Sequence, residues 1–387
     1  MSSVLPDSLF TIVGGSIIDG TGAPRYPGKV VVEDDRIVAV GPDVPTRGIA
    51  IDCTGQVVCP GFIDMHSHSD LVCMSDPQLT AKVRQGITTE VLGQDGLSEA
   101  PIPPEYIAMW RRHLSGLNGD PDLPWDWRSF GDYLDRCGGA AINMTALVGH
   151  GPIRLHAVGM ENRPVNTAEL DLMSHVLDEA LAEGAVGFST GLIYSPCVYG
   201  DTDELIALGR VVARHGAFMV YHMRYEGQRV LDGMEEVFRI ARESGAACHI
   251  SHFKARGRQA WGKAAAMVEA VERAQAEGLD ITADQYPYLA GSTMLGALLP
   301  PWCHAEGTEG LKAFLQDPAL RERIEREIVE GCADWESTVV AVGWENIVIS
   351  DAATERNTGL VGQSLPEIAE RWKQTPYEAM VRLLLEE

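Results

Sequence analysis

The stretch Pro60-Gly61-Phe62-Ile63-Asp64-Met65-His66-Ser67-His68 decides how this chain is read. It runs from an apolar, strand-like segment into two histidines separated by one serine. A β-strand turns successive side chains to opposite faces, so a His-X-His pair at a strand end aims both imidazoles into one cavity. Two more histidines close later strand-like runs, His222 after residues 217–221 and His252 at the end of 247–251. Asp95 lies in the loop after the run at 87–92, where a carboxylate could bridge two cations; taken alone it would be a turn residue before Gly96. Imidazoles and a carboxylate converging from strand ends suit a first-row divalent ion. The pattern predicts a metal-dependent hydrolase. His249 is expected to pack outward, one strand face away from His252. His113, His156, His175, His215 and His304 fall on helices or loops and receive no role.

Outward from this stretch the chain alternates strand and helix. Apolar runs at 57–65, 87–92, 142–148, 185–189, 217–221, 247–251 and 279–283 are separated by amphipathic patterns at 77–84, 168–182, 203–214, 229–243 and 261–276. A long polar connection rich in Trp and Pro occupies 97–140. Such alternation indicates an α/β fold, and seven repeats favour a (β/α)8 TIM-like barrel over a doubly wound sheet. Residues 1–58 carry short β patterns broken by Gly and Pro and are expected to form the N-terminal part of a small β-sandwich. The barrel then spans 59–289. An insertion at 290–344 contains a charged helix around 309–330 and a short strand near 338–342. Residues 345–387 return to the barrel with a helix at 365–387, and an eighth strand is not visible.

The 387 residues carry a formal net charge of -24 with 45% hydrophobic residues. Such a surface repels phosphate backbones and anionic membranes, which argues against nucleic-acid and lipid partners. No signal peptide and no apolar run long enough to span a bilayer is evident. The eight cysteines show no Cys-X-X-Cys spacing and read as reduced thiols. A cytoplasmic location is expected, and the oligomeric state stays open.

The motifs resemble the amidohydrolase superfamily and, within it, the N-acyl-D-amino-acid deacylases (D-aminoacylases). Besides residues 60–68, the resemblance is carried by Gly149-His150-Gly151-Pro152-Ile153-Arg154, Gly187-Phe188-Ser189-Thr190-Gly191-Leu192-Ile193-Tyr194 and Tyr221-His222-Met223-Arg224-Tyr225-Glu226. Ile250-Ser251-His252-Phe253-Lys254 and the segment Ala283–Thr293 complete it. It implies zinc, one or two ions per chain, with another divalent metal open. His222 and His252 would hold a tight site with residue 95 as third ligand and possible bridge, and His66 and His68 a looser one. It further implies that Tyr194, Lys254, Tyr286 and Ser292 contact the substrate carboxylate. The implied reaction is hydrolysis of the amide of an N-acyl-D-amino acid to a carboxylate and a free D-amino acid.

Two departures stand out. The best-known deacylase pattern carries cysteine where this chain has Asp95, a harder ligand that leaves metal preference open. The family's catalytic aspartate closes its eighth strand in a Gly-Ser-Asp-Gly-like segment, which is not found here, so the catalytic residue stays unassigned. Asp351 precedes the helix at 365–387 and is not given that role. The chain is therefore expected to be a family member short of its last strand, binding metal with little turnover by itself. A cyclic amide hydrolase of the dihydroorotase or hydantoinase kind is an alternative, disfavoured because the fourth strand ends without a lysine. A non-catalytic metal-binding remnant is another. For an acidic substrate side chain, Arg224 is the candidate cation, unless it pairs internally with Glu226.

Overall fold

The protein is described by a computed structural model covering residues 9–332 and 335–387. These fall into two compact units, the described part of Met1–Ile63 with Thr80–Thr89, and Asp64–Leu79 with Glu90–Glu387. In the first, a four-stranded sheet has the order Arg36–Gly41, Lys29–Glu33, Leu9–Val13, Ile49–Asp52. A three-stranded sheet joins Tyr26–Pro27, Ser16–Ile17 and Val57–Val58. Both come from the Gly- and Pro-broken β patterns at the start of the sequence.

A larger sheet contains β1 (Phe62–Asp64), β2 (Ile87–Leu92), β3 (Asn143–Gly149), β4 (Gly187–Gly191), β5 (Phe218–His222), β6 (Ala247–Ile250) and β7 (Ile281–Ala283). The strands lie side by side in chain order, and every neighbouring pair from β3 to β7 is parallel. Between them run α1 (His150–Ala157), α2 (Thr167–Ala182), α3 (Thr202–Arg214), α4 (Val230–Ser244) and α5 (Ala264–Ala276). Among the described residues the sheet ends at β7, so the architecture is a barrel of the TIM type represented by seven strands.

In β3, β5 and β6, burial on both faces explains the mostly apolar strands, while β1 and β7 at the sheet edges are largely exposed. Met219, Tyr221, Cys248 and Ile250 join Leu177, Leu208, Val237 and Ile240 in the core between sheet and helices. Val91, Leu147 and Val220 form a separate cluster on the opposite face, the barrel interior. The helices start where local chemistry dictates. Asn166 and Glu169 form a capping box at α2 (Asn166 Oδ1 accepts the Glu169 N–H at 3.0 Å), and Asp201 caps α3. The connection at 97–140 folds into two helices, Ile107–Asn118 and Phe130–Cys137.

Later elements depart from the sequence reading. The expected strand near 338–342 is a helical turn, Thr338–Val342. Among the described residues no strand lies beside it to pair with, and Ser337 Oγ accepts the Val340 N–H at 3.3 Å and caps the turn. The charged helix around 309–330 is two, α6 (Gly307–Gln316) and α7 (Pro318–Glu330), with Pro318 opening the second. Pro376 likewise opens the second half of the 365–387 segment, giving α8 (Leu365–Trp372) and α9 (Pro376–Glu386). These helices share a second apolar cluster that includes Leu315, Ile324, Leu365 and Met380. No described helix is long and apolar enough to cross a membrane.

Candidate metal centre

The interior face ends in a cluster of imidazoles and carboxylates at the C-terminal ends of the strands. His66 and His68 follow β1, and between them Ser67 points the other way, its hydroxyl donating to Glu90 Oε1 at 3.0 Å. Asp95 follows β2 with φ 59°, in the left-handed region that side chains rarely adopt. The loop around it is tightly tied. Gly93 also sits at positive φ, and a Cβ there would meet the Leu147 carbonyl oxygen at 2.0 Å. Ser189 of β4 donates to the Gly93 carbonyl and accepts the Gly96 N–H at 2.9 Å. Gln94 Nε2 donates to the carbonyls of Met65 (2.7 Å) and Val91 (2.9 Å). The motif at 187–194 thus serves in part to hold Asp95.

Asp95 is turned two ways. Its Oδ2 lies 3.4 Å from His68 Nε2 and 3.7 Å from His66 Nε2. Its Oδ1 lies 3.7 Å from both His222 Nδ1 and His252 Nε2. All four distances are long for hydrogen bonds. Two ligands bound tetrahedrally to one ion at ~2.1 Å lie ~3.4 Å apart. Asp95 Oδ1, His222 Nε2, His66 Nδ1 and His68 Nδ1 are buried without a hydrogen-bond partner. His66, Asp95 and His252 offer ligand atoms within 4.8 Å of one another, as do His222, Glu226 and His252. Donor set, spacing and orphaned atoms fit a divalent cation.

Glu226 was not singled out from sequence, where it served only as a partner for Arg224. It is 3% exposed, with Oε1 3.0 Å from His252 Nδ1 and 2.7 Å from Lys254 Nζ, and Oε2 3.6 Å from His222 Nε2. The carboxylate therefore orients the His252 imidazole, whose Nε2 meets His222 Nδ1 at 2.9 Å, while His222 Nε2 stays beyond hydrogen-bonding distance of Glu226. Arg224 turns away, bonding Glu236 and the carbonyls of Val198 and Gly200.

His249 does not pack outward. It lies opposite Val220 in the β5–β6 register and so faces the barrel interior. There it bonds Thr282 Oγ1 at 2.7 Å and Asp284 Oδ2 at 2.9 Å. The strand ends at Ile250, and φ 38° at His252 resets the alternation, so that residues three apart share a side. Asp284, another unassigned residue, accepts the His252 N–H at 2.6 Å and lies 3.8 Å from His66 Nδ1. Both carboxylates were findable as strand-end or near-strand-end acids, the positions at which barrel enzymes place their chemistry.

Charge is distributed accordingly. Burial raises the cost of ionising Asp95, but His66, His222 and His252 outweigh it and hold the carboxyl well below its usual range. Burial is outweighed at Glu226 too, by His222, Lys254 and His252. Burial pushes the His222 imidazole down. At His252 burial is overcome by Glu226 and Asp95, which hold the imidazolium up at about 9, a proton that an incoming cation has to displace.

The remaining expected residues divide. Tyr194 is buried, its ring edge-on to His222 at 5.2 Å and its hydroxyl 2.9 Å from Thr293 Oγ1. Tyr286 is half-buried, its ring 6.4 Å from that of His252. Lys254 is at the cluster but bonded to Glu226. Ser292 is exposed, and Thr293 beside it makes the contact to Tyr194.

Residues 50–353 match the amidohydrolase family. The chain belongs to the amidohydrolase family. Within that family it groups with the deacylases of N-acyl-D-amino acids. It is 35% identical over 308 residues to a D-aminoacylase of Alcaligenes xylosoxydans xylosoxydans, covering 76% of this chain and 61% of the relative. It is 39% identical over 286 residues to an N-acyl-D-glutamate deacylase of the same organism, covering 73% and 58%. Among solved structures, N-acyl-D-glutamate deacylase from Bordetella bronchiseptica matches with a TM-score of 0.76 and 33% identity, over 97% of this chain and 69% of that one. That crystal structure holds zinc and a phosphonate mimic of the tetrahedral intermediate. This amidohydrolase chain spans about three fifths of the length of the curated relatives it matches.

Proposed function

We propose that this chain carries the metal centre of a zinc-dependent deacylase that hydrolyses N-acyl-D-amino acids to a carboxylate and a free D-amino acid. The observation that carries this is the two-sided Asp95, one oxygen toward His66 and His68, the other toward His222 and His252. Those five residues would hold one or two divalent ions. A bound ion of this kind polarises the scissile carbonyl and brings the pKa of water towards ~7. The chain's own residues supply the rest. Glu226 fixes the orientation of His252, whose Nε2 in turn meets His222 Nδ1 at 2.9 Å, and Asp284 holds the His252 backbone and the His249 ring. Tyr194, Tyr286 and Lys254 lie against the cluster, where a substrate α-carboxylate would compete with Glu226 for the Lys254 ammonium, and Ser292, next to Thr293, would join them on binding. Proton transfer from water is left to the aspartate that the family carries on its eighth strand. The D configuration is supported by the relatives, and the substrate is a small molecule.

The test is zinc-loaded protein with paired N-acetyl-D- and N-acetyl-L-amino acids, free amino acid being measured. We expect slow release, from the D series alone, lost on chelation and restored by zinc. Opening of dihydroorotate or a hydantoin with no release from either acyl series would overturn the assignment.

A further inference from the structure

The loops after β4, β5 and β6, which also carry Tyr194, Glu226 and Lys254, border a cavity of about 490 Å3, whose lining includes Leu192, Arg224, Arg256, Arg323, Trp335 and Glu336. It is within the size range of small-ligand sites. Its three guanidiniums are not equivalent. Arg224 is bound by Glu236 and two carbonyls. Arg323 pairs with Glu327 at 2.8 Å and stacks 4.0 Å over Trp302. Arg256 has one side-chain bond, Nη1 to Thr338 Oγ1 at 3.3 Å, and its Nε is buried without a partner. Among the described residues it forms no ion pair. The acids lining the cavity are spoken for: Glu327 by Arg323 and Trp302, and Glu336 by the backbone N–H groups of Glu226, Gly227 and Arg229.

A guanidinium held partly out of water without an anion is costly, and a planar carboxylate is its best-matched partner. The position is tied to the metal centre. The Arg256 N–H donates to the Glu226 carbonyl at 2.7 Å, two residues beyond Lys254 and four beyond His252.

We infer that Arg256 is the specificity residue of a second carboxylate subsite, so that the preferred substrates are N-acyl derivatives of acidic D-amino acids. The inference rests on the deacylase reading, in which the first carboxylate belongs to the α-carbon. A second is present only when the side chain is that of aspartate or glutamate. The cavity supplies its space, and the guanidinium its charge. Arg224, the cation expected from sequence for this task, is already neutralised by Glu236.

The experiment is calorimetric titration of the zinc-loaded chain with N-acetyl-D-glutamate and with its uncharged isostere N-acetyl-D-glutamine, for wild type, Arg256→Met and Arg256→Lys. Each variant is first checked for wild-type zinc content and melting. The glutamate derivative should bind roughly tenfold to a hundredfold tighter than the glutamine derivative. Arg256→Met should bring the two to the same level, and Arg256→Lys should keep part of the preference. Equal binding by wild type, or a preference that survives Arg256→Met, would sink the subsite and leave the deacylase reading standing. If Arg256→Met weakens both ligands alike, the guanidinium holds the α-carboxylate and the inference is wrong. Binding of neither derivative would remove both readings.

Discussion

Glu204 and Asp95 are both 3% exposed carboxylates facing histidine, yet they are built for opposite purposes. Glu204 is closed at hydrogen-bonding distance. His150 Nε2 lies 2.7 Å away, and Arg154 Nη1 approaches both oxygens at 2.5 and 2.7 Å. His150 Nδ1 meets Thr190 at 2.9 Å, and Arg154 Nη2 donates to the Arg163 carbonyl. Burial opposes the charge on Glu204 and is outweighed by His150 and Arg154, so the carboxyl is held below its usual range. Asp95 keeps its four imidazoles at 3.4 to 3.7 Å, a separation suited to an ion between them. Residue types alone do not separate a buried structural ion network from a metal centre; an ångström of spacing does.

The most damaging way to break the comparison is Glu204→Ala. Arg154 is fully buried and would lose its carboxylate partner, a change that costs about 3–5 kcal/mol in such settings. Urea unfolding should show that loss whether or not zinc is present. Asp95→Asn should do the reverse. Zinc affinity, measured by competition with a chromophoric chelator, should drop by at least the ~10–100-fold typical of an outer-shell loss. Melting in excess chelator should stay close to wild type. A metal-free Asp95→Asn protein as unstable as Glu204→Ala would mean that Asp95 is structural and the contrast is false. The finest adjustment is Asp95→Cys. Thiolate is softer than carboxylate, so the ratio of zinc to manganese affinity should rise several-fold, with the fold unaltered. An unchanged ratio would show that residue 95 does not touch the ion.

The central strands β3, β5 and β6 were legible because they are largely buried on both faces and read as mostly apolar runs, whereas β1 and β7 at the sheet edges are largely exposed and were legible from their sequence spacing. His66, His68, Asp95, His222 and His252 were legible because each stands where such a run stops. His249 was misjudged for a local reason: alternation was carried through residue 252, whereas the strand stops at Ile250 and the backbone reverses its hand at His252. Glu226 and Asp284 were passed over because their partners, Lys254 with His252 and His249 with His66, arrive from other strands. Arg224 and Arg256 look equivalent in sequence, each a few residues past a strand-end histidine. Glu236, nearly two turns into α4, distinguishes them, and only the folded chain brings it to Arg224. The turn at Thr338–Val342 read as a strand because its composition is β-branched, although strand formation needs a neighbour that the fold does not supply.

Asp284 and His66 meet across the barrel mouth although they follow β7 and β1, the opposite edges of the sheet. An ion shared among the strand-end ligands would fasten β1 to β2, β5 and β6 as well as arm the site. Binding to the folded chain alone stabilises it in proportion to the logarithm of free metal. The lifetime of this protein in a protease-containing cell would then follow the cell's zinc supply, with scarcity removing the molecule before it merely idles it.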